Sequence, residues 1–311
     1  MANKIYSLCL PTFILVSSFL LNYFYSKPLF QLGESLIFKA QQHSSPTLDA
    51  FFIFFTFLIE PYFVISSLAV ALSLFRKKLE GSIITIAVLL NTYIFMAMKA
   101  FLTSPRPFWT DKHIKNIGYY CPKDYGSPSG HTEFAVFIFS IYLFHFNKQK
   151  DMMVVVLGFG VIALVMISRM YLGGHSLDQV LFGFIVAACL SIIYEFGGIR
   201  EKIAELLVRF SQSQVRQKVL AFCFLAHFLA IAIYFRNLNR DESFYSDISD
   251  WMANFKNKCS SEISSSTLNE SSLLAESVLI TFSLGYFFSF QTVLKDRKGP
   301  TFLAGNWRFN T

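Results

Sequence analysis

The chain has 311 residues, of which 54% are hydrophobic, 17% aromatic and 15% charged, with a formal net charge of +7. That composition is richer in apolar residues than a water-soluble domain normally carries, which excludes a soluble enzyme. The charge is spread over short turns beside apolar runs rather than gathered in one patch, so no nucleic-acid binding is expected.

Windows of apolar residues long enough for a bilayer core of about 30 Å recur along the chain. They fall at about 5–25, 50–75, 81–102, 131–147, 152–170, 176–195, 218–236 and 272–293, which predicts eight membrane spans. The first follows Lys4 and reads as an uncleaved helix rather than a signal peptide, because its apolar stretch is long and no clean small-x-small site precedes Lys27. The second is broken by Glu60-Pro61, where a proline kinks a helix and frees a carbonyl. The fourth is short. Residues 197–217 alternate in charge and carry Leu206, Leu207, Val208 and Phe210 at helical spacing, the pattern of an amphipathic connector on the membrane surface. Residues 237–271 read as a loop that includes the Ser-rich stretch from Asn257 to Ser272, and 295–311 read as a tail.

The larger share of the 27 Lys and Arg lies on the side of both chain ends, which places the termini in the cytoplasm and the 237–271 loop on the opposite face. That face carries the sequon Asn269-Glu270-Ser271 and two cysteines, Cys121 and Cys259, which an oxidising compartment would let pair. Cys9, Cys189 and Cys223 fall within spans and read as packing residues.

Three stretches converge on this outer face: "KAFLTSPRPFW" from Lys99, "YGSPSGHTEF" from Tyr125 and "SRMYLGGHSLDQ" from Ser168. Together they supply the cations Lys99, Arg106 and Arg169, the imidazoles of His131 and His175, the backbone donors of Ser129 and Gly130 at a helix start, and Asp178. Any one cation alone would read as a snorkelling anchor. Several cations at one membrane boundary, next to a helix N-terminus, call instead for an anionic partner, and a phosphate fits. No Cys-x-x-Cys, Asp-rich loop or His pair at ligand spacing is present, so no metal site and no cofactor is expected. His113, His145 and His227 lie outside any motif.

Lys99-x6-Arg106-Pro107, then Pro128-Ser129-Gly130-His131, then Ser168-Arg169-x5-His175 resembles the three-part signature of the type 2 phosphatidic acid phosphatase superfamily, which also includes vanadium haloperoxidases. The resemblance implies an all-α integral membrane helical bundle. Residues 1–196 would form a six-helix phosphatase core, 197–217 the cytoplasmic connector and 218–294 two additional transmembrane helices. It also implies metal-independent hydrolysis of a phosphate monoester through a phosphohistidine, with His175 as nucleophile and His131 as general acid. Lys99, Arg106, Ser129, Gly130 and Arg169 would be the phosphate cradle. Most relatives carry a carboxylate four residues after the nucleophile; here that position is Gln179, and Asp178 precedes it, so either side chain is a candidate for orienting His175.

The "GSPSGH" run, the Phe108-Trp109 pair, Gln179 and the Trp251 to Cys259 loop are similar to the glucose 6-phosphatase branch. Glu60 is similar in placement to an acidic residue there, either facing a lateral entrance or packing between helices. A lipid phosphate is the leading substrate expectation, with a sugar phosphate as alternative and phosphotransfer to an alcohol as another. Partners are thus a phosphorylated lipid or sugar and the membrane itself, in the endoplasmic reticulum or plasma membrane, with protein partners open.

Overall fold

The computed structural model describes residues 2–60, 78–145, 151–210, 212–239 and 242–259. Among them the chain is all-α: α1 (Ala2–Gln41), α2 (Pro46–Leu58), α3 (Lys78–Leu102), α4 (Pro107–Thr110), α5 (Gly130–His145), α6 (Met152–Tyr171), α7 (Leu177–Phe196), α8 (Ile199–Val208), α9 (Ser213–Leu238) and α10 (Glu242–Lys258). Five stretches, Tyr6–Gln41, Leu79–Thr110, Met152–Tyr171, Leu177–Phe196 and Ser213–Asn237, are long and apolar enough to cross a membrane, and α2 and α5 are shorter apolar helices. Large apolar side chains such as Phe13, Phe24, Leu157, Phe224 and Phe228 point outward from these helices, as a lipid surround requires. The expected span at 272–293, the second half of the 50–75 window, Asn269 and the tail lie outside the described residues.

Two expectations are corrected. The first helix does not end near Tyr25 but continues to Gln41. Tyr25 departs from helical geometry (φ −131°, ψ 18°) three residues before Pro28, whose ring displaces the carbonyls of the preceding turn, so the chain kinks and resumes. Gln41 then closes the helix by donating to the carbonyls of Lys115 and Tyr171, both at 2.9 Å, and accepting from the Lys115 N–H at 2.8 Å. The supposed loop at 237–271 contains α10. Its Trp251, Met252 and Phe255 recur at helical spacing and pack on Phe108 and Trp109.

The core forms where α3, α5, α6 and α7 meet, around Ile84, Val88, Phe134, Phe137, Val165 and Ala187. The α8 connector docks beneath it with Ile203 and Leu207 buried, and Arg200 pairs with Glu80 of α3 at 2.6 Å. Helix α1 packs along α7, α2 along α6, α9 along α3, and α10 against α4. Gly183 of α7 lets the turn before α5 approach: a Cβ there would lie 2.7 Å from the Ser129 carbonyl oxygen. This arrangement gathers the ends of α3, α6 and α7 and the start of α5 at one end of the bundle.

Candidate active site

Lys99 arrives in the last turn of α3, Arg106 caps α4, His131 opens α5, Arg169 ends α6, and His175 lies in the turn before α7. All five are at most 6% exposed. The structure therefore brings together the residues that the three sequence motifs singled out.

Two of the cations share one carboxylate. Asp124 pairs with the Lys99 ammonium and, at 2.7 Å, with Arg106 Nη2, while its backbone carbonyl accepts from Arg106 Nε at 2.7 Å. Burial opposes the charge on Asp124, but Arg106 and Lys99 outweigh it and hold the carboxyl well below the usual carboxylate range. Arg169 is different: its Nε is buried without a hydrogen-bond partner among the described residues. A buried guanidinium N–H left open is costly and marks a place for an anion to bind.

His175 has both ring nitrogens engaged. Nδ1 lies 2.8 Å from the Gly126 carbonyl oxygen, which only accepts, so Nδ1 carries the proton. Nε2 is then the lone-pair nitrogen and accepts from Arg106 Nη1 at 3.1 Å. Burial, and then the charges of Arg106, Arg169 and Lys99, push the imidazole pKa well below its ordinary value, so the ring is neutral.

The orienting partner is therefore neither Asp178 nor Gln179. Asp178 accepts from the Ser176 hydroxyl, and Gln179 closes a capping box by accepting from the Ser176 N–H at 3.2 Å. A capping box needs its N3 side chain turned back toward the helix start, which takes Gln179 away from the imidazole. Its Nε2 donates instead to Ser104 Oγ at 3.0 Å and the Pro105 carbonyl at 2.6 Å. The Ser104 backbone carbonyl accepts from the Gly126 N–H at 2.7 Å, and Gly126 packs so closely on the Gln179 amide that a Cβ would lie 2.4 Å from it.

Ser129 also departs from expectation. Its backbone N–H donates to the Gln179 carbonyl at 3.0 Å and its hydroxyl accepts from Thr132 at 3.1 Å, so that N–H is already committed to holding α5 on α7. Gly130, at the helix start, lies against the Phe95 ring, over which the Lys99 ammonium is centred at 5.1 Å.

Sequence reasoning missed Asp124, Gly126 and Ser104, whose roles depend on contacts across 18 to 75 residues. Asp124 had a legible signal, an acid just before the Pro128 to His131 motif and downstream of Arg106. Cys121 and Cys259 form a disulfide that ties this loop to α10. Lys258 and Asn254 of α10 donate to the Phe108 and Trp109 carbonyls at 2.8 and 2.7 Å, so α10 braces the turn that follows Arg106.

The PAP2 superfamily model matches residues 81–196, which include every motif residue above. A dolichyldiphosphatase of Saccharomyces cerevisiae is 32% identical over 134 residues, 40% of this chain and 55% of the yeast protein, so the chain spans about half the length of that relative. The crystal structure of a transmembrane PAP2-type phosphatidylglycerolphosphate phosphatase from Bacillus subtilis is similar at 20% identity, covering 65% of this chain and 98% of that one, with a TM-score of 0.46.

Proposed function

We propose that this chain, whose residues 81–196 match the PAP2 superfamily model, is a membrane phosphatase that hydrolyses a lipid phosphate or diphosphate through a phosphohistidine on His175. The observation that carries this reading is the state of His175: buried, neutral, its Nδ1 proton fixed on the Gly126 carbonyl and its Nε2 lone pair turned toward Arg106. An imidazole in that state is a nucleophile that needs no base to activate it.

Lys99, Arg106 and Arg169 supply the charge that neutralises the phosphoryl oxygens, and two planar guanidinium forks suit their geometry. Phosphate displaces Asp124 from the first two and satisfies the open Nε of the third. Donors fixed before the reaction stabilise the trigonal-bipyramidal phosphorus without reorganising. His131 is the general acid for the leaving oxygen. The positive charge that phosphoryl transfer requires is thus present in side chains, and hydrolysis is expected to proceed in EDTA.

A lipid is favoured over a sugar by the surroundings. An apolar cavity of about 310 Å³ between α2, α5 and α6, lined by Ile59, Phe134, Ile138 and Val161 among others, begins one residue from Glu60 and three from His131. The yeast relative is named a dolichyldiphosphatase, which points to a polyisoprenoid tail. The disulfide in the site loop suits an oxidising compartment, so the site faces the lumen or exterior of an endoplasmic reticulum or plasma membrane.

The test is phosphate release by detergent-solubilised protein, in EDTA, from dolichyl diphosphate, a polyprenyl phosphate, phosphatidate and glucose 6-phosphate, with His175→Ala beside it. Release from a lipid substrate, abolished in the variant, is expected. No release from any of them by folded protein, or full activity in His175→Ala, overturns the reading.

A further inference from the structure

Glu60 closes the short helix α2, and its N–H donates back to the Phe57 carbonyl at 3.0 Å. One turn earlier, the buried Thr56 hydroxyl meets Ser168 Oγ at 3.1 Å, which fixes this end of α2 against α6 at the residue before Arg169. The chain therefore holds Glu60 at the site rather than leaving it to face lipid. Its Oε2 lies 3.2 Å from His131 Nε2 and also accepts from the Tyr119 hydroxyl.

The charges around His131 are otherwise of one sign. Lys99 from α3 and Arg169 from α6 lie within electrostatic reach, and the neutral neighbours are the His175 ring from the α6–α7 turn and Tyr119 from the loop. A histidine that must give up a proton has first to hold two, and cations disfavour that form. Glu60 supplies the opposing charge in direct contact with the ring.

We infer that Glu60 is the positioning residue of the proton donor: it holds His131 through Nε2 and sustains the imidazolium from which the leaving oxygen takes its proton. This rests on the phosphatase reading above. The logic is that of a Ser-His-Asp triad, in which a buried carboxylate orients the ring and stabilises its charged form without taking the proton. In the first step His175 Nε2 bonds to phosphorus, and the bond from phosphorus to the ester oxygen breaks with its electron pair moving to that oxygen. The oxygen takes the His131 proton that Glu60 does not hold, the one on Nδ1. In the second step water attacks phosphorus, passes a proton to the now neutral His131, and the bond to His175 breaks. Glu60 remains a carboxylate throughout.

A donor held in this way matters in proportion to how poor the leaving group is. An alkoxide needs the proton, whereas p-nitrophenolate departs without it. The experiment compares turnover of a short alkyl phosphate and of p-nitrophenyl phosphate by wild-type, Glu60→Gln and Glu60→Asp proteins, with orthovanadate binding as a check that the cradle is intact. Glu60→Gln should lower kcat about 10²-fold for the alkyl ester, the scale of general acid catalysis, and less than about threefold for the aryl ester. Glu60→Asp, which withdraws the charge by one methylene, should show the same bias at about tenfold, and carries the test if Glu60→Gln does not fold. Equal losses on both esters, or no loss on either, overturn the inference while leaving the phosphatase reading intact. Failure of folded wild-type protein to release phosphate from both esters and from the lipid substrates named above overturns that reading and the inference with it.

Discussion

The Gly126 carbonyl oxygen lies 2.8 Å from Nδ1 of His175, 49 residues further along the chain. A backbone acceptor fixes the tautomer as firmly as a carboxylate does, but it adds no charge, so the imidazole stays neutral among three cations. The residue that would carry a carboxylate in most relatives has been given to scaffolding instead.

His175 should keep its nucleophilic form as the pH falls through the ordinary imidazole range. Its pKa is depressed, so the deprotonated, attacking state persists at pH 6 and below, where an unperturbed histidine would be largely charged. Single-turnover phosphoenzyme formation measured from pH 8 down to pH 5 should show no loss centred near 6.5 that is traceable to this ring. His175→Ala should lower turnover by about 10³-fold or more at every pH.

Gln179 distinguishes two accounts of the site. If its amide oxygen served His175, Gln179→Glu would preserve or improve activity. Because its Nε2 donates to Ser104 and Pro105, the same substitution sets oxygen against oxygen and releases the Gly126 loop. Both Gln179→Glu and Gln179→Ala are expected to lower kcat roughly 10- to 100-fold, the scale of an ångström's misplacement of a reacting group. KM should change little. Steady-state kinetics on the two variants decide the matter.

Asp124→Asn should tighten orthovanadate binding and weaken the free protein. Removing one charge a few ångströms from the bound anion is worth roughly tenfold or more in Kd at the effective dielectric of a half-buried site. Lys99 and Arg106 then lack their counter-charge when no anion is bound. The destabilisation should be about 1–2 kcal/mol, below the figure for a fully buried pair, because the Asp124 side chain is 32% exposed. Vanadate titration and a melting curve with and without vanadate should show the two effects with opposite sign.

Cys259→Ser removes the bond between the site loop and α10. A stability loss of about 2–5 kcal/mol is expected, as for a long-range disulfide in a small folded unit. The variant should also show a raised KM, since α10 braces the Phe108 and Trp109 carbonyls immediately after Arg106. Thermal melts and phosphate-release kinetics on oxidised wild type and variant measure both.

The sequence by itself determined the membrane class, the apolar runs of α3, α5, α6 and α7 and the cations and histidines that the structure gathers. Each rests on local chemistry: the length of an apolar run, the cost of a cation at a membrane boundary, the fixed spacing of His and Arg within a motif. Only the tertiary structure decided which atoms meet. The helical return after Pro28 and the α10 brace depend on packing partners more than 70 residues away, Lys115 for Gln41 and Phe108 for Phe255. The tautomer of His175, the occupation of Lys99 and Arg106 by Asp124, and the pairing of Glu60 with His131 depend on hydrogen-bond directions, which spacing along a helix does not specify. Asp178 and Gln179 both lie within a helical turn of His175, yet the Ser176 hydroxyl holds the one, and a capping box, the Ser104 hydroxyl and the Pro105 carbonyl hold the other. Proximity in sequence set the candidates, and competition among nearby donors and acceptors chose between them.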